Sequence, residues 1–227
     1  ALETAQRAGD QRTVANTLNG MAILATIRGD FSQAVERCQE SLTLCRETVN
    51  RIGMARAYHN LGMAHADRKD WASAMECFEK GFEDAQAEGL LNVMANIHLS
   101  RAELLLELGD SSMVALCCAR ALDIYRKTEN RLCEADTYRV LGRLFTVRKQ
   151  WATAASLFRD SLNLNEQYGK PLNVAEVHRD MGKMHLARGL RTEARSSLQA
   201  ALSGFEKLGA KGDVIEVQRL VESLDRS

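Results

Sequence analysis

Apolar residues recur three and four positions apart along most of the chain, which is the spacing of amphipathic helices. The pattern repeats every forty residues and predicts a pair of helices, A and then B, in each of five repeats. The A helices are predicted at 11–27, 51–67, 91–107, 131–147 and 171–187. The B helices are predicted at 31–48, 71–88, 111–128, 151–168 and 191–208. The predicted fold class is all-α.

Positions forty residues apart carry side chains of similar size, which assigns five repeats to 11–50, 51–90, 91–130, 131–170 and 171–210. One column of small residues on the A helices consists of Ala22, Gly62, Ala102, Gly142 and Gly182. On the B helices, a larger column consists of Cys38, Phe78, Cys118, Phe158 and Leu198. We expect the small column to let helices A and B approach closely. The larger column should fill the space between successive repeats, so that stacked hairpins form a solenoid with one continuous core.

The turns between helices carry residues suited to ending one helix and starting the next. Gly29 suits the left-handed exit of the first A helix, and Asp30, Asp70 and Asp110 are expected to cap the B helices that follow them. Pro171 stands at the start of the fifth A helix, where its fixed φ favours the helix.

The two ends of the chain differ from the repeats. Residues 1–8 align with 41–48 and are expected to be the end of a truncated preceding repeat, whose exposed face would allow self-association. Residues 211–227 carry one more apolar stripe in A-helix phase, but Glu222 stands in the small column. A charged side chain there would block a following B helix, so this segment is expected to be a C-terminal capping helix.

Composition narrows the class further. The chain has one proline, 5% aromatic residues, and equal numbers, 30 each, of Lys+Arg and Asp+Glu. Without a basic excess we expect no nucleic-acid partner, and the short apolar runs predict no membrane span. Six cysteines in a chain that can bury its own core favour a reduced, cytoplasmic protein with packing thiols over redox or metal sites. No metal or cofactor motif and no catalytic constellation occurs, so we expect a non-enzymatic protein without cofactors.

Two segments carry a recognisable motif. One runs Tyr58, His59, Asn60, Leu61, Gly62, then Ala74 and Phe78; the other runs Tyr138, Arg139, Val140, Leu141, Gly142, then Phe145, Ala154 and Phe158. These segments resemble the tetratricopeptide repeat, and the forty-residue length is similar to that of Leu-Gly-Asn repeat adaptors, kinesin light chains and bacterial Rap-type regulators. The resemblance implies a right-handed superhelical solenoid of antiparallel helix hairpins, in which the A helices line a concave groove.

In that family, partners bind to the A-helix face turned away from the B helices. The repeat register assigns to this face Asn16, Asn19, Ile23, Arg56, His59, Asn60, Met63, Asn96, Leu99, Arg139, Arg143, Arg179 and Lys183. The asparagine amides can both donate to and accept from a peptide backbone. The apolar members suit the side chains of a bound segment.

The four cations of this set that lie in the last two repeats admit two interpretations. Arg139 and Arg143, like Arg179 and Lys183, are four residues apart on one helix face. They predict either a site for acidic side chains or a surface that is internally paired with carboxylates. The carboxylates suited to that role are Asp136, Glu176 and Asp180.

The function predicted from these features is a protein–protein interaction module that binds a peptide segment of a partner in its groove. The partner is expected to carry apolar side chains toward the first three repeats and an acidic group toward the last two. Two alternatives remain open: a regulatory sensor segment that binds a small effector or signalling peptide, and a scaffold that assembles through its repeat ends.

Overall fold

The computed structural model describes Thr4, Arg7 and residues 9–225, and over these residues it contains helices and turns but no strand. Apart from Thr4 and Arg7, the prediction for residues 1–8 lies outside the described residues. The helices are α1 (Gln11–Ile27), α2 (Phe31–Glu47), α3 (Arg51–Asp67), α4 (Trp71–Ala87), α5 (Leu91–Glu107), α6 (Val114–Lys127), α7 (Arg131–Val147), α8 (Trp151–Gln167), α9 (Pro171–Arg188), α10 (Arg191–Leu208) and α11 (Lys211–Asp225). The predicted all-α class is confirmed.

The chain divides into two compact units, Ala1–Leu104 and Leu105–Ser227. In the first unit α1 packs on α2 and α3 on α4; in the second, α7 packs on α8 and α9 on α10. The boundary lies inside α5, within the repeat assigned to 91–130. Within the two units the A and B helices therefore pair in the order that the pattern predicts.

Close contact between A and B helices depends on the small column. A Cβ atom placed on Gly142 would lie 2.6 Å from Cε1 of Phe158, and one placed on Gly62 would lie 2.6 Å from Cε1 of Phe78. Both phenylalanine side chains are fully buried. Because real Cβ atoms do not approach carbon so closely, only glycine permits these rings to lie on the A helix.

The same rings also reach the next A helix of their own unit. Phe78 belongs to a core cluster with Ile97 and Leu104 of α5. Phe158 belongs to a corresponding cluster with Val177 and Met184 of α9. The large column thus joins successive repeats, as the sequence pattern predicts.

One residue in each turn has a left-handed backbone conformation with positive φ, and these residues recur every twenty positions. Glycines provide it at several of these positions, including Gly29 with φ of 79° and Gly189 with φ of 82°. Four turns place other residues there: Val49, Lys69, Glu129 and Lys149. Val49, with φ of 50° and an 82% exposed side chain, is the least suited, because a β-branched residue is strained in this conformation.

Helix α6 begins later than predicted. The pattern places its start at residue 111, but the helix runs from Val114. Asp30 and Asp70 accept hydrogen bonds from the backbone N–H three residues later, whereas Asp110 accepts from the N–H and hydroxyl of Ser112. The prediction was wrong here because this local Asp–Ser turn competes with the first helical turn.

Helix α11 occupies the position of an A helix. Val217 and Leu224 are buried, like Val177 and Met184 forty residues earlier. Glu222, in the small column, is exposed.

We expect Gly142→Ala to destabilise the second unit by about 1–3 kcal/mol, because the added methyl group overpacks the contact with Phe158. Gly20→Ala is the matched control, since a Cβ at Gly20 in α1 would meet nothing within 4 Å. Alanine should stabilise that helix by up to about 1 kcal/mol. The measurement is urea unfolding of both variants; equal stabilisation by the two would disprove the proposed contact.

We expect Val49→Gly to raise the free energy of unfolding by about 1 kcal/mol, because glycine adopts the left-handed conformation without a Cβ clash. Val49→Ala is the control, since it retains the Cβ. Thermal unfolding followed by circular dichroism compares them. A glycine variant no more stable than the alanine variant would show that this turn is unstrained.

Candidate partner-binding face

The residues predicted to bind a partner are divided between the two units. Nine of them, from Asn16 to Leu99, lie in the first unit, and the four cations lie in the second. They form two separate candidate surfaces, which differ in exposure and in charge pairing.

In the first unit, part of the predicted set is accessible. Asn16, Ile23 and Arg56 are exposed, with Ile23 at 50%. The half-buried members of the set are His59, Asn60, Met63 and Asn96.

Asn19 and Leu99 do not lie on an accessible surface. They are 6% and 9% exposed, so the structure contradicts their assignment to an open binding face. Both occupy the repeat position of His59, and His59 is directed at a neighbouring A helix.

His59 joins α3 to α5. Its Nε2 is hydrogen-bonded to Oγ of Ser100 at 3.0 Å, and its ring centroid lies 6.1 Å from that of Phe78. Burial lowers the pKa of His59 to about 4, because desolvation disfavours the imidazolium. His59 is therefore uncharged at neutral pH and packs between helices, although the sequence pattern predicted that it points into the groove.

Apart from Asn96 on α5, the accessible residues that remain lie on two adjacent helices. We call Asn16, Ile23, Arg56, Asn60 and Met63 the α1–α3 face. It combines amide groups, apolar side chains and one arginine. Amides can hydrogen-bond a peptide backbone, apolar side chains can contact apolar side chains of a partner, and arginine can bind a carboxylate.

In the second unit, Arg139 is buried rather than presented to a partner. It is 7% exposed, its Nη1 donates to Oδ2 of Asp180 at 2.9 Å, and its Nη2 lies 3.5 Å from Oε2 of Glu176. Asp180 itself is 3% exposed. The expectation that Arg139 is a surface contact is therefore wrong.

Asp180 is ionised despite its burial. Desolvation alone would raise its pKa, but the charges of Arg179, Arg139, Arg143 and Lys183 outweigh it and lower the pKa to about 2. Because the folded-state pKa lies below the unfolded value, Asp180 stabilises the fold above about pH 4, and this contribution is lost as the pH falls toward 2.

The remaining cations also have carboxylate partners. Nη1 of Arg179 donates to Asp213 and, at 3.3 Å, to Glu216; Nζ of Lys183 donates to Glu216 at 2.6 Å. Arg143 donates to Glu107. Glu176 and Asp180 were predicted as partners of the cations, whereas Glu107, Asp213 and Glu216 were not, although they lie 33 to 37 residues from the cations that they pair with, close to the repeat length.

This pairing changes the charge of the surface. Four cations face five carboxylates, Glu107, Glu176, Asp180, Asp213 and Glu216, so the formal sum is one negative charge. The structure supports internal pairing, the second of the two interpretations drawn from the sequence.

The cysteines have the properties of packing residues. Burial raises the pKa of Cys38 to about 12 and that of Cys77 to about 11, so both thiols stay protonated at neutral pH. Among the described residues there is no cluster of three or more potential metal ligands. In the same part of the chain, no helix combines the length and apolar character needed to cross a membrane.

Comparison with known proteins identifies the repeat. Residues 1–87 match the family model of the tetratricopeptide repeat. The Tonsoku-like protein of Bos taurus is 23% identical over 212 residues, which cover 87% of this chain and 15% of that protein. The chain therefore spans about 15% of the length of this curated relative.

Solved structures share the fold. A Rap protein complexed with Competence and Sporulation Factor matches with a TM-score of 0.71 and 10% identity over 99% of this chain and 67% of that chain. BtubC (BKLC) from P. vanneervenii matches with a TM-score of 0.66 and 18% identity over 91% and 87% of the two chains. The tetratricopeptide repeat predicted from the sequence is thus confirmed for residues 1–87 by the family model, and the remaining repeats share its fold.

We expect Asp180→Ala to lower the stability of the second unit by about 3–5 kcal/mol, because Arg139 would remain as an uncompensated buried charge. Asp160→Ala, at an exposed position of α8, is the matched control and should change stability by less than about 0.5 kcal/mol. Urea unfolding followed by the fluorescence of Trp151 measures both, with Trp71 of the first unit replaced by Phe in each protein. Similar curves for the two variants would show that the buried pair is not needed for stability.

Proposed function

We propose that the chain is a protein-interaction module that binds a peptide segment of a partner protein on the α1–α3 face. The observation that carries this proposal is the exposure of Ile23 beside polar groups suited to peptide backbone. Exposed apolar groups with polar neighbours favour a binding surface.

The chemistry of the face defines the proposed partner. Ile23 and Met63 would contact an apolar side chain, while the amides of Asn16 and Asn60 hydrogen-bond its backbone. Arg56 is exposed and suits a carboxylate of the same segment. The acidic group of the partner is therefore better placed near Arg56 than at the paired cations of the second unit.

The comparisons support the general class. The Rap structure is a complex with the Competence and Sporulation Factor, so one protein of this fold binds such a factor. At 10% identity this likeness concerns the fold alone. It does not indicate which residues of this chain would bind an effector, as the alternative of a regulatory sensor segment requires.

The test is selection of binding peptides from a displayed random library with the whole chain, followed by measurement of their dissociation constants. Ile23→Asp combined with Asn16→Ala should weaken binding at least tenfold, which corresponds to about 1.4 kcal/mol. Both residues are exposed, so the variant should fold normally.

Glu36→Lys combined with Glu79→Lys is the control, because both positions are exposed on B helices. It should leave binding unchanged. If the control abolishes binding while the α1–α3 variant binds normally, the binding surface lies on the B helices and the proposal is wrong. Sedimentation of each protein at the assay concentration separates peptide binding from self-association.

A further inference from the structure

Arg179 is held in place from within its own repeat. Its guanidinium carbon lies 5.6 Å from the centroid of the Phe205 ring, and its Nε lies 3.6 Å from Oδ1 of Asp180. Phe205 and Asp180 are both buried. The guanidinium thus has two contacts within its own repeat, while its Nη1 hydrogen bonds go to carboxylates of α11, the group that arginine binds best.

Helix α11 places a short acidic motif against this prepared surface. Asp213 and Glu216 are three residues apart, and both contact Nη1 of Arg179, while Glu216 also pairs with Lys183. Val217, the next residue, is completely buried. In the segment from Asp213 to Val217, two acidic residues are therefore separated by two other residues, and an apolar residue follows the second acidic one.

The two carboxylates of α11 are held unequally. Burial raises the pKa of Asp213, and the nearby Arg179 does not fully offset this cost. Burial alone would also raise the pKa of Glu216, but Arg179 and Lys183 lower it and favour its charged form. The Lys183–Glu216 pair is partly open to solvent, with side chains 42% and 43% accessible, and such pairs contribute little stability. Asp213 is therefore the weaker of the two contacts.

The junction before α11 carries two glycines, Gly209 and Gly212, on either side of the buried Ala210. Gly209 has a left-handed backbone with φ of 68°, and Gly212 lies in the first turn of α11. A Cβ at Gly212 would meet nothing within 4 Å, so packing does not require glycine there. Glycine at this position lowers the helix propensity of the first turn by up to about 1 kcal/mol relative to alanine.

We infer that the α9 surface carrying Arg179 and Lys183 is a docking site for an acidic amphipathic helix of a partner, and that α11 occupies it as an autoinhibitory substitute. The inference extends the proposed function, because it assumes an interaction module, but it uses a different surface. The partner helix would carry two acidic residues three positions apart followed by an apolar residue. Binding of the partner helix would displace the start of α11. While α11 occupies the site, acidic segments of lower affinity cannot bind there.

The probe for this site is a fluorescein-labelled peptide with the sequence of residues 211–225. It is added to the whole wild-type chain and to the Asp213→Asn/Glu216→Gln variant, in which the internal contacts are weakened. The variant should bind the peptide at least tenfold more tightly than wild type. This binding should weaken as salt rises, since it depends on screened charges.

Two controls make the result specific. A peptide carrying Asn and Gln in place of its two acidic residues should not bind, and adding Lys183→Gln to the variant should weaken binding of the acidic peptide. Equal affinity of wild type and the variant for the acidic peptide, or equal affinity of the variant for both peptides, would overturn the inference.

Hydrogen exchange provides a second measurement should the variant fail to fold. Excess acidic peptide should accelerate amide exchange in α11 of the wild-type chain, because displacement exposes that helix. Unchanged exchange would overturn the inference. The library-selected peptides of the α1–α3 assay should bind the variant normally, so failure of that assay and failure of this one are distinguishable.

Discussion

The contact between a small residue on an A helix and a large residue on the following B helix fixes the arrangement of the repeats. Gly142 accommodates Phe158, and Gly62 accommodates Phe78, at distances that leave no space for a side chain. Because each ring also packs on the next A helix of its unit, one contact sets both the geometry of a hairpin and the position of its successor. The regular interval of left-handed turns follows from this constraint, since the helices must end where the columns require.

The constraint explains why turn residues unsuited to their backbone are tolerated. Val49 adopts a left-handed conformation at an exposed turn, where its side chain gains little from packing. The strain is local, whereas moving the turn by one residue would shift a whole column of buried residues. Helix α6 shows the opposite case, because a local hydrogen bond to Ser112 shortens the helix without displacing the buried Val114.

The sequence predicted the features that depend on periodicity and residue size. Apart from the start of α6, the helix bounds, the small column and the burial of the large column follow from spacing alone, so they could be derived without coordinates. The polar contacts could not, because they join adjacent A helices at offsets that depend on the reach of each side chain. His59 meets Ser100 and Arg139 meets Asp180 at an offset of 41, whereas Lys183 meets Glu216 at an offset of 33. Asn16 and Ile23 of the predicted face are exposed, and their role in binding is a proposal.

The two candidate surfaces illustrate how one repeat architecture separates stability from recognition. The small and large columns are buried in contacts between helices. The repeats therefore differ in chemistry at the A-helix positions outside these columns. In the first unit these positions expose apolar and amide groups. In the second unit they carry basic side chains that form ion pairs with carboxylates. The Arg139–Asp180 pair is buried, so removing one partner would leave the other charge buried without a counter-ion. This pair therefore contributes to stability and is not available for recognition. The Lys183–Glu216 pair has similar chemistry but remains open to solvent, so its partner can be exchanged at little cost. Burial, rather than the identity of the charges, therefore decides which of these residues are available for a ligand.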